Sequence, residues 1–288
     1  MKLHLECIPC YIRQALEAIR MVTDDKELQE EMLRNCLIAA SKFDSSEIGI
    51  LTHNRVHNII KRFTPDGDPY KEVKKKFNTI CLNMTDEIKQ IIVKSNNPFE
   101  TSLRIALAGN IIDFGPSSLI NKDILKDAIH YALRQRLDNT AVKMLQENIN
   151  SRSRILYIGD NAGEIVFDKI FIEQLPIDKI TYVVRGFPIM NDSTMEDAEI
   201  VGMHTIVRVI TTGVDIPAAA LPLCSKGFLK EYDKSDLIIA KGQGNYEALS
   251  NEDKNIFFLL KIKCPVVMRD LNNKHKVGDV VVHNILNS

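Results

Sequence analysis

The chain carries no excess of either charge: 37 Lys and Arg stand against 38 Asp and Glu, a formal net charge of -1. A nucleic-acid binder usually shows a basic excess or a basic stripe. The one basic run, Lys71 with Lys74, Lys75 and Lys76, reads as a solvated helix face. No stretch approaches the roughly 18 consecutive apolar residues that a membrane-spanning helix needs. The opening Met-Lys-Leu-His-Leu-Glu-Cys lacks the apolar centre of a secretory signal. Six cysteines (7, 10, 36, 81, 224 and 264) in 288 residues do not make a disulfide framework, and reduced thiols in a cytoplasm are the default. The expectation is a cytoplasmic protein with neither nucleic acid nor membrane as partner, its oligomeric state left open.

Nucleotide-binding glycine patterns are also missing. No Gly-x-Gly-x-x-Gly follows an apolar run, and no P-loop spacing occurs. There is no internal repeat and no low-complexity tract. What remains is an ordinary globular composition, 45% hydrophobic and 26% charged, sufficient for a core without staples.

Residues 1 to 150 read as helical. Tyr11–Met21, Lys26–Ser41 and Pro69–Cys81 space apolar residues three and four apart, and Pro65-Asp-Gly-Asp-Pro69 is a turn signal between two such segments. Further helices fit Asp86–Lys94, Pro98–Ala108 and Lys122–Glu147, the last with a break near Asp138-Asn139. From 151 to 288 short apolar runs alternate with helical stretches. The strands expected are Arg154–Gly159, Lys179–Arg185, Thr205–Ile210, Asp236–Ala240 and Pro265–Met268, with Val280–Val282 as a closing edge. That alternation predicts an α/β fold, a Rossmann-like three-layer α/β/α core with a mostly parallel sheet, preceded by an all-helical cap domain.

Ligands of open α/β sheets bind beyond the carboxyl ends of the strands. Three polar clusters lie at such ends: Asp160-Asn161, Arg185-Gly-Phe-Pro-Ile-Met-Asn191-Asp192 and Lys241-Gly-Gln-Gly-Asn245. Asp160 and Asn161 lead into a helix through Gly163 and Glu164, and a helix N-terminus suits phosphate. Two carboxylates and an amide oxygen, from Asp160, Asp192 and Asn161, are hard ligands that suit Mg²⁺ or Mn²⁺. On its own Asp160 could equally be a helix cap worth about 1 kcal/mol. Asn110 and Asp113, in Gly109-Asn-Ile-Ile-Asp-Phe-Gly115, are either helix-ending residues or groups lent by a cap to a shared cleft. Cys7 and Cys10 are one helical turn apart, half of a metal site or a redox pair, but no second C-x-x-C completes it, so buried apolar thiols are the expectation.

Taken together and in this order, these motifs resemble the damage-control phosphatases, domain-of-unknown-function family 89, and within it the archaeal-type branch. The resemblance runs nearly the whole length: Cys7-Ile-Pro-Cys10, Asp68-Pro-Tyr70, Gly109–Gly115, Asp160-Asn-Ala-Gly-Glu164, Phe167-Asp168, Asn191-Asp192 and Lys241-Gly-Gln-Gly-Asn-Tyr-Glu247. It implies a helical domain joined to a Rossmann-like core, and phosphatase activity on small phosphometabolites such as sugar phosphates or damaged cofactor intermediates. It also implies a divalent metal (Mn²⁺, Mg²⁺, Ni²⁺ or Co²⁺) on Asp160, Asn161 and Asp192, with Lys241 holding phosphate. Asn110 and Asp113 match pocket-lining residues. Many members of that family read Arg-Asp or Arg-Gly directly before the Pro of the second cluster; here Arg185-Gly186-Phe187 precedes Pro188, a difference on the substrate side of that loop.

The mechanism expected is attack by metal-activated water, with Lys241 and the amides around Gly163 neutralising phosphoryl oxygens and Asn245 orienting the group. Direct attack by Asp160 is the alternative, although the second Asp of dehalogenase-type enzymes is replaced by Ala162. Two other classes stay open: an S-adenosylmethionine-dependent methyltransferase, and a non-catalytic phosphometabolite-binding protein.

Overall fold

The computed structural model describes residues 1–111 and 121–287. Among them eight helices come first: α1 (Cys7–Val22), α2 (Lys26–Ala40), α3 (Gly49–Arg62), α4 (Lys71–Leu82), α5 (Thr85–Val93), α6 (Pro98–Ile111), α7 (Lys122–Arg134) and α8 (Asn139–Ser151). The long segment after Lys122 does break where expected, because Asp138 caps α8 by accepting from Thr140 N–H at 2.8 Å.

Strands then alternate with helices: β1 (Ile155–Ile158), α9 (Glu164–Ile172), β2 (Ile180–Val184), α10 (Met195–Ile200), β3 (Arg208–Thr211), α11 (Lys226–Lys234), β4 (Leu237–Lys241), α12 (Gly242–Leu249), β5 (Ile256–Lys261), α13 (Pro265–Asp270) and β6 (Val280–Asn284). The sheet order is β3-β2-β1-β4-β5-β6, parallel except for β6, which runs antiparallel to β5.

Strand periodicity assigns the two faces. Tyr157, Tyr182, Ile239 and Phe257 enter one core with residues of α4 to α9, while Leu156, Ile158, Val183, Ile238 and Phe258 enter another with residues of α11 to α13. Helices therefore cover both faces, as the three-layer expectation required. The first-half helices do not share one core. Those from α4 onward pack on the sheet, whereas α1, α2 and α3 close a separate cluster around Ile19, Met32, Val56 and Ile60, which Met190 joins from the loop after β2.

Three expectations need correction. Pro265–Met268 is a helix, since Pro265 takes the first turn where its missing N–H costs nothing; the fifth strand is Ile256–Lys261. Helix α3 escaped the reading because its buried face carries Thr52, His53 and His57, which dilute the apolar spacing. Lys74 is not on a solvated face. It is buried and paired with Asp68 at 2.7 Å and Asp197 at 3.8 Å, while Lys71, Lys75 and Lys76 are exposed.

Candidate active site

The sheet order reverses between β1 and β4, and polar residues collect at the carboxyl ends of those strands and of β2. Asp160 and Asn161 follow β1, and the loop after β2 returns alongside them. Asn161 forms an antiparallel bridge with Asp192, and Ser193 N–H donates to the Asp160 carbonyl at 2.8 Å. Gly242, at φ +79°, lets the start of α12 pass against the site, where a Cβ would collide with Asp160 Oδ2.

Asp160 Oδ2 accepts from Asn161 Nδ2 at 3.0 Å and from Asn110 Nδ2 at 3.1 Å, so the end of α6 does reach the first carboxylate after β1. Asp113 lies outside the described residues. Asp192 accepts from Arg185 Nε at 2.6 Å, and Arg185 Nη2 is 3.6 Å from Asp160 Oδ1. Arg185 is only 1% exposed, yet neither Nη1 nor Nη2 has a hydrogen-bond partner. Burial, then the neighbouring Asp192 and Glu164 carboxylates, push the Asp160 carboxyl up to about 8 against the opposing pull of Arg185. Burial also raises Asp192, again against Arg185.

Lys241 does not face the crevice. Its ammonium is fully buried, and its three protons meet Glu164 Oε1 at 2.6 Å, Asp168 Oδ1 at 2.6 Å and the Ala106 carbonyl at 2.8 Å. Burial disfavours the charged lysine, but Asp168 and Glu164 outweigh it and raise its pKa above the ordinary value. Asn245 is likewise committed: its amide donates to the Gly159 and Lys241 carbonyls and accepts from Ala219 N–H. Its hydrogen bonds all go to backbone groups. The Gly163 N–H is taken by Asn78 Oδ1 at 2.6 Å, and Gly163 has φ +75° with Phe77 packed where a Cβ would be. Glu164 is fully buried and accepts from Asn110 and Asn161, so it supports the site from beneath.

Several of these partners went unread in the sequence. Asp168 bridges Lys241 to the hydroxyls of Tyr157 and Tyr182 at 2.8 and 2.9 Å. A signal existed: Glu164 and Asp168 are four apart in a helix that is apolar elsewhere but for Lys169, which puts two carboxylates on one buried face. Asn191 stood in the strand-end cluster with no role assigned to it, and Asn78 carried no comparable signal.

The donors suit a divalent cation. Four clustered carboxylates, Asp160, Glu164, Asp168 and Asp192, face two buried cations, Arg185 and Lys241, which leaves negative charge uncompensated. Among the described residues no group of three His, Cys, Asp or Glu side chains is spaced to hold a metal; Asp160 and Asp192 are two carboxylates beside the Asn161 amide, whose oxygen accepts from Asn191 Nδ2. Cys7 and Cys10 are half-buried and unpaired, with thiol pKa values pushed up by burial.

Residues 3–277 match the model of the damage-control phosphatase ARMT1-like domain. The chain belongs to that family. A damage-control phosphatase of Pyrococcus horikoshii is 34% identical, covering 94% of both chains, and one of Archaeoglobus fulgidus is 31% identical over 98% of both. An uncharacterized protein of Methanocaldococcus jannaschii is 37% identical over 98% of this chain and 95% of its own. The crystal structure of a DUF89 family protein from P. horikoshii superposes with a TM-score of 0.88 at 32% identity, covering 99% of each chain. This member of the damage-control family thus shares both fold and length with its relatives.

Proposed function

We propose that this damage-control family member is a metal-dependent phosphatase of small phosphomonoesters, such as sugar phosphates or damaged cofactor intermediates, with Asp160, Asn161, Asp192 and Arg185 as its working residues. The observation that carries the reading is Arg185, a buried guanidinium with two unpartnered nitrogens beside a carboxylate pair. Such a fork matches phosphate oxygens. The relatives' names agree with this reading.

Asp160, Asp192 and the Asn161 amide oxygen would hold Mn²⁺, Mg²⁺, Ni²⁺ or Co²⁺. Bound there, the ion would supply Lewis-acid polarisation of a phosphate oxygen and of a water. Arg185 neutralises the charge that spreads over the transferring phosphoryl group. Asn110, held at the carboxylate by its amide, walls the site on the side of α6. Water is favoured over Asp160 as nucleophile. Asp160 Oδ2 already accepts two amide protons, and Ala162 offers no acid for the leaving group.

A panel of sugar phosphates and nitrophenyl phosphate, assayed with each of the four metals and with chelator, tests the proposal. Phosphate release that chelator abolishes and metal restores is expected. No release with any metal would sink it, and substrate binding without turnover would leave a metabolite-binding protein.

A further inference from the structure

We infer that Lys241 is a positioning residue: it anchors Glu164, and through Glu164 it fixes which way the amides of Asn161 and Asn110 point. The inference rests on the phosphatase reading above.

An ammonium offers three protons and no acceptor. All three of Lys241's are used at 2.6 to 2.8 Å, on a side chain with no solvent exposure, so none remains for a substrate. The acceptors come from three places: the carbonyl of Ala106 on α6, and Glu164 and Asp168 on successive turns of α9. Tyr157 and Tyr182 donate to Asp168 Oδ1 and Oδ2 from β1 and β2. Glu164 therefore has one oxygen pinned by Lys241 and the other turned to the site.

That second oxygen, Oε2, accepts from Asn161 Nδ2 at 3.1 Å and from Asn110 Nδ2 at 3.3 Å. An asparagine amide can sit either way round, and what faces it decides which end goes where. With Glu164 and Asp160 both drawing the NH₂ groups, the carbonyl oxygens must point away. Asn110 Oδ1 takes Lys261 N–H at 3.0 Å, and Asn161 Oδ1 takes Asn191 Nδ2 at 2.8 Å, toward the loop that carries Asp192. The acceptor end of Asn161 is thereby presented on the Asp192 side. Without Lys241, Glu164 and Asp168 would be two buried carboxylates with no cation between them, and Glu164 would leave its place.

The chemistry also suggests a replacement. A glutamine at 164 could accept the two amide protons with its oxygen and donate to Asp168 with its nitrogen, so the amide order survives without any cation.

The test compares wild type, Lys241→Met and Lys241→Met with Glu164→Gln by Mn²⁺ calorimetry, steady-state kinetics and inhibition by inorganic phosphate. Lys241→Met should weaken Mn²⁺ binding at least tenfold and lower kcat at least a hundredfold, with the phosphate inhibition constant within threefold of wild type. The double variant should regain at least tenfold in both Mn²⁺ affinity and kcat. A lysine that touches substrate would give the opposite pattern: unchanged Mn²⁺ affinity, a phosphate inhibition constant raised in step with the lost activity, and no rescue. Wild-type-like behaviour of the single variant overturns the inference as well. Should Lys241→Met fail to fold, the double variant decides, since a folded protein with normal Mn²⁺ affinity and poor phosphate inhibition would assign Lys241 to the substrate. A wild type without phosphatase activity on any ester refutes the functional reading instead, whatever the variants do.

Discussion

Arg185 and Asp192 are locked at 2.6 Å, yet the guanidinium commits only its Nε to that bond. The two terminal nitrogens stay enclosed and without a hydrogen bond, Nη2 lying 3.6 Å from Asp160 Oδ1. An unsatisfied buried donor costs about 1–3 kcal/mol, more when charged. In the phosphate site proposed above, that cost would be relieved by the arriving anion.

Arg185→Ala should therefore lower kcat/KM by about 100- to 1000-fold, the range found when a donor to developing charge is removed. Arg185→Lys should recover part of the loss, because one ammonium cannot reproduce a two-pronged fork. Initial-rate kinetics on the best ester of the panel, with inorganic phosphate as inhibitor, reads both. Loss of less than threefold in Arg185→Ala would remove the residue from the phosphate site.

Neutralising Asp160 should separate stability from activity. Burial, Asp192 and Glu164 hold its carboxyl up at about 8, so folding works against its ionisation, and Asp160→Asn should raise the melting temperature of the metal-free protein at neutral pH by about 2–3 °C, as roughly 1 kcal/mol does in a chain of this size. The same substitution should abolish turnover and weaken Mn²⁺ binding, as should Asp192→Asn. A lower melting temperature in Asp160→Asn would favour a purely structural, helix-capping role.

Acid should loosen the α1–α3 cluster through its histidines. Burial lowers His57 to about 4 from 6.5, and burial, with His57 beside it, holds His53 well below its ordinary value. Both rings are neutral when folded, with an unpartnered Nε2, whereas the unfolded chain takes up protons below 6.5. Stability is then fully present above pH 6.5 and falls as the pH drops toward 4. From His57 alone the loss by pH 5 should be about 2 kcal/mol, at 1.36 kcal/mol per pH unit. Urea midpoints at pH 7 and pH 5 measure it, and His57→Gln should shrink the difference. An unchanged difference would show that other groups control the acid limb.

Gly163→Ala tests the junction between α4 and the site loop. An alanine would have to hold φ +75° and displace the Phe77 ring, at a cost of at least about 3 kcal/mol. Asn78→Ala strips both the acceptor from Gly163 N–H and the donor that reaches Asp197 Oδ1 at 2.7 Å, and should cost about 1–3 kcal/mol for each bond. Guanidinium titrations measure both variants, and a Gly163→Ala loss below about 1 kcal/mol would show that the Phe77 ring yields and does not shape the loop.

How far the sequence revealed the site depends on where each side chain points. Asp160, Asn161 and Asp192 follow apolar strands, and strand ends in an α/β sheet share one edge, so their meeting was legible. Lys241 obeys the same rule and still misled. It is the final residue of β4 and alternation turns it into the core beneath the crevice, where Asp168 waits on α9. The strand at Ile256–Lys261 was legible as a short apolar run between polar residues, but the apolar Pro265–Met268 drew the assignment instead. Asn78 could not have been found, because an amide facing a backbone N–H 85 residues away leaves no local pattern.

The amide of Asn110 has a further consequence. Its oxygen is capped by the Lys261 N–H, 151 residues later, while its nitrogen reaches back to Asp160 and Glu164. A chain leaving the ribosome thus makes its helices and first strand long before the last strand of the parallel set can fix that amide. Domains fold largely as units during synthesis, and long-range pairing comes late. Hydrolytic competence should appear only after residue 261 has emerged, so that neither a stalled nor a truncated nascent chain can attack the cell's phosphorylated metabolites.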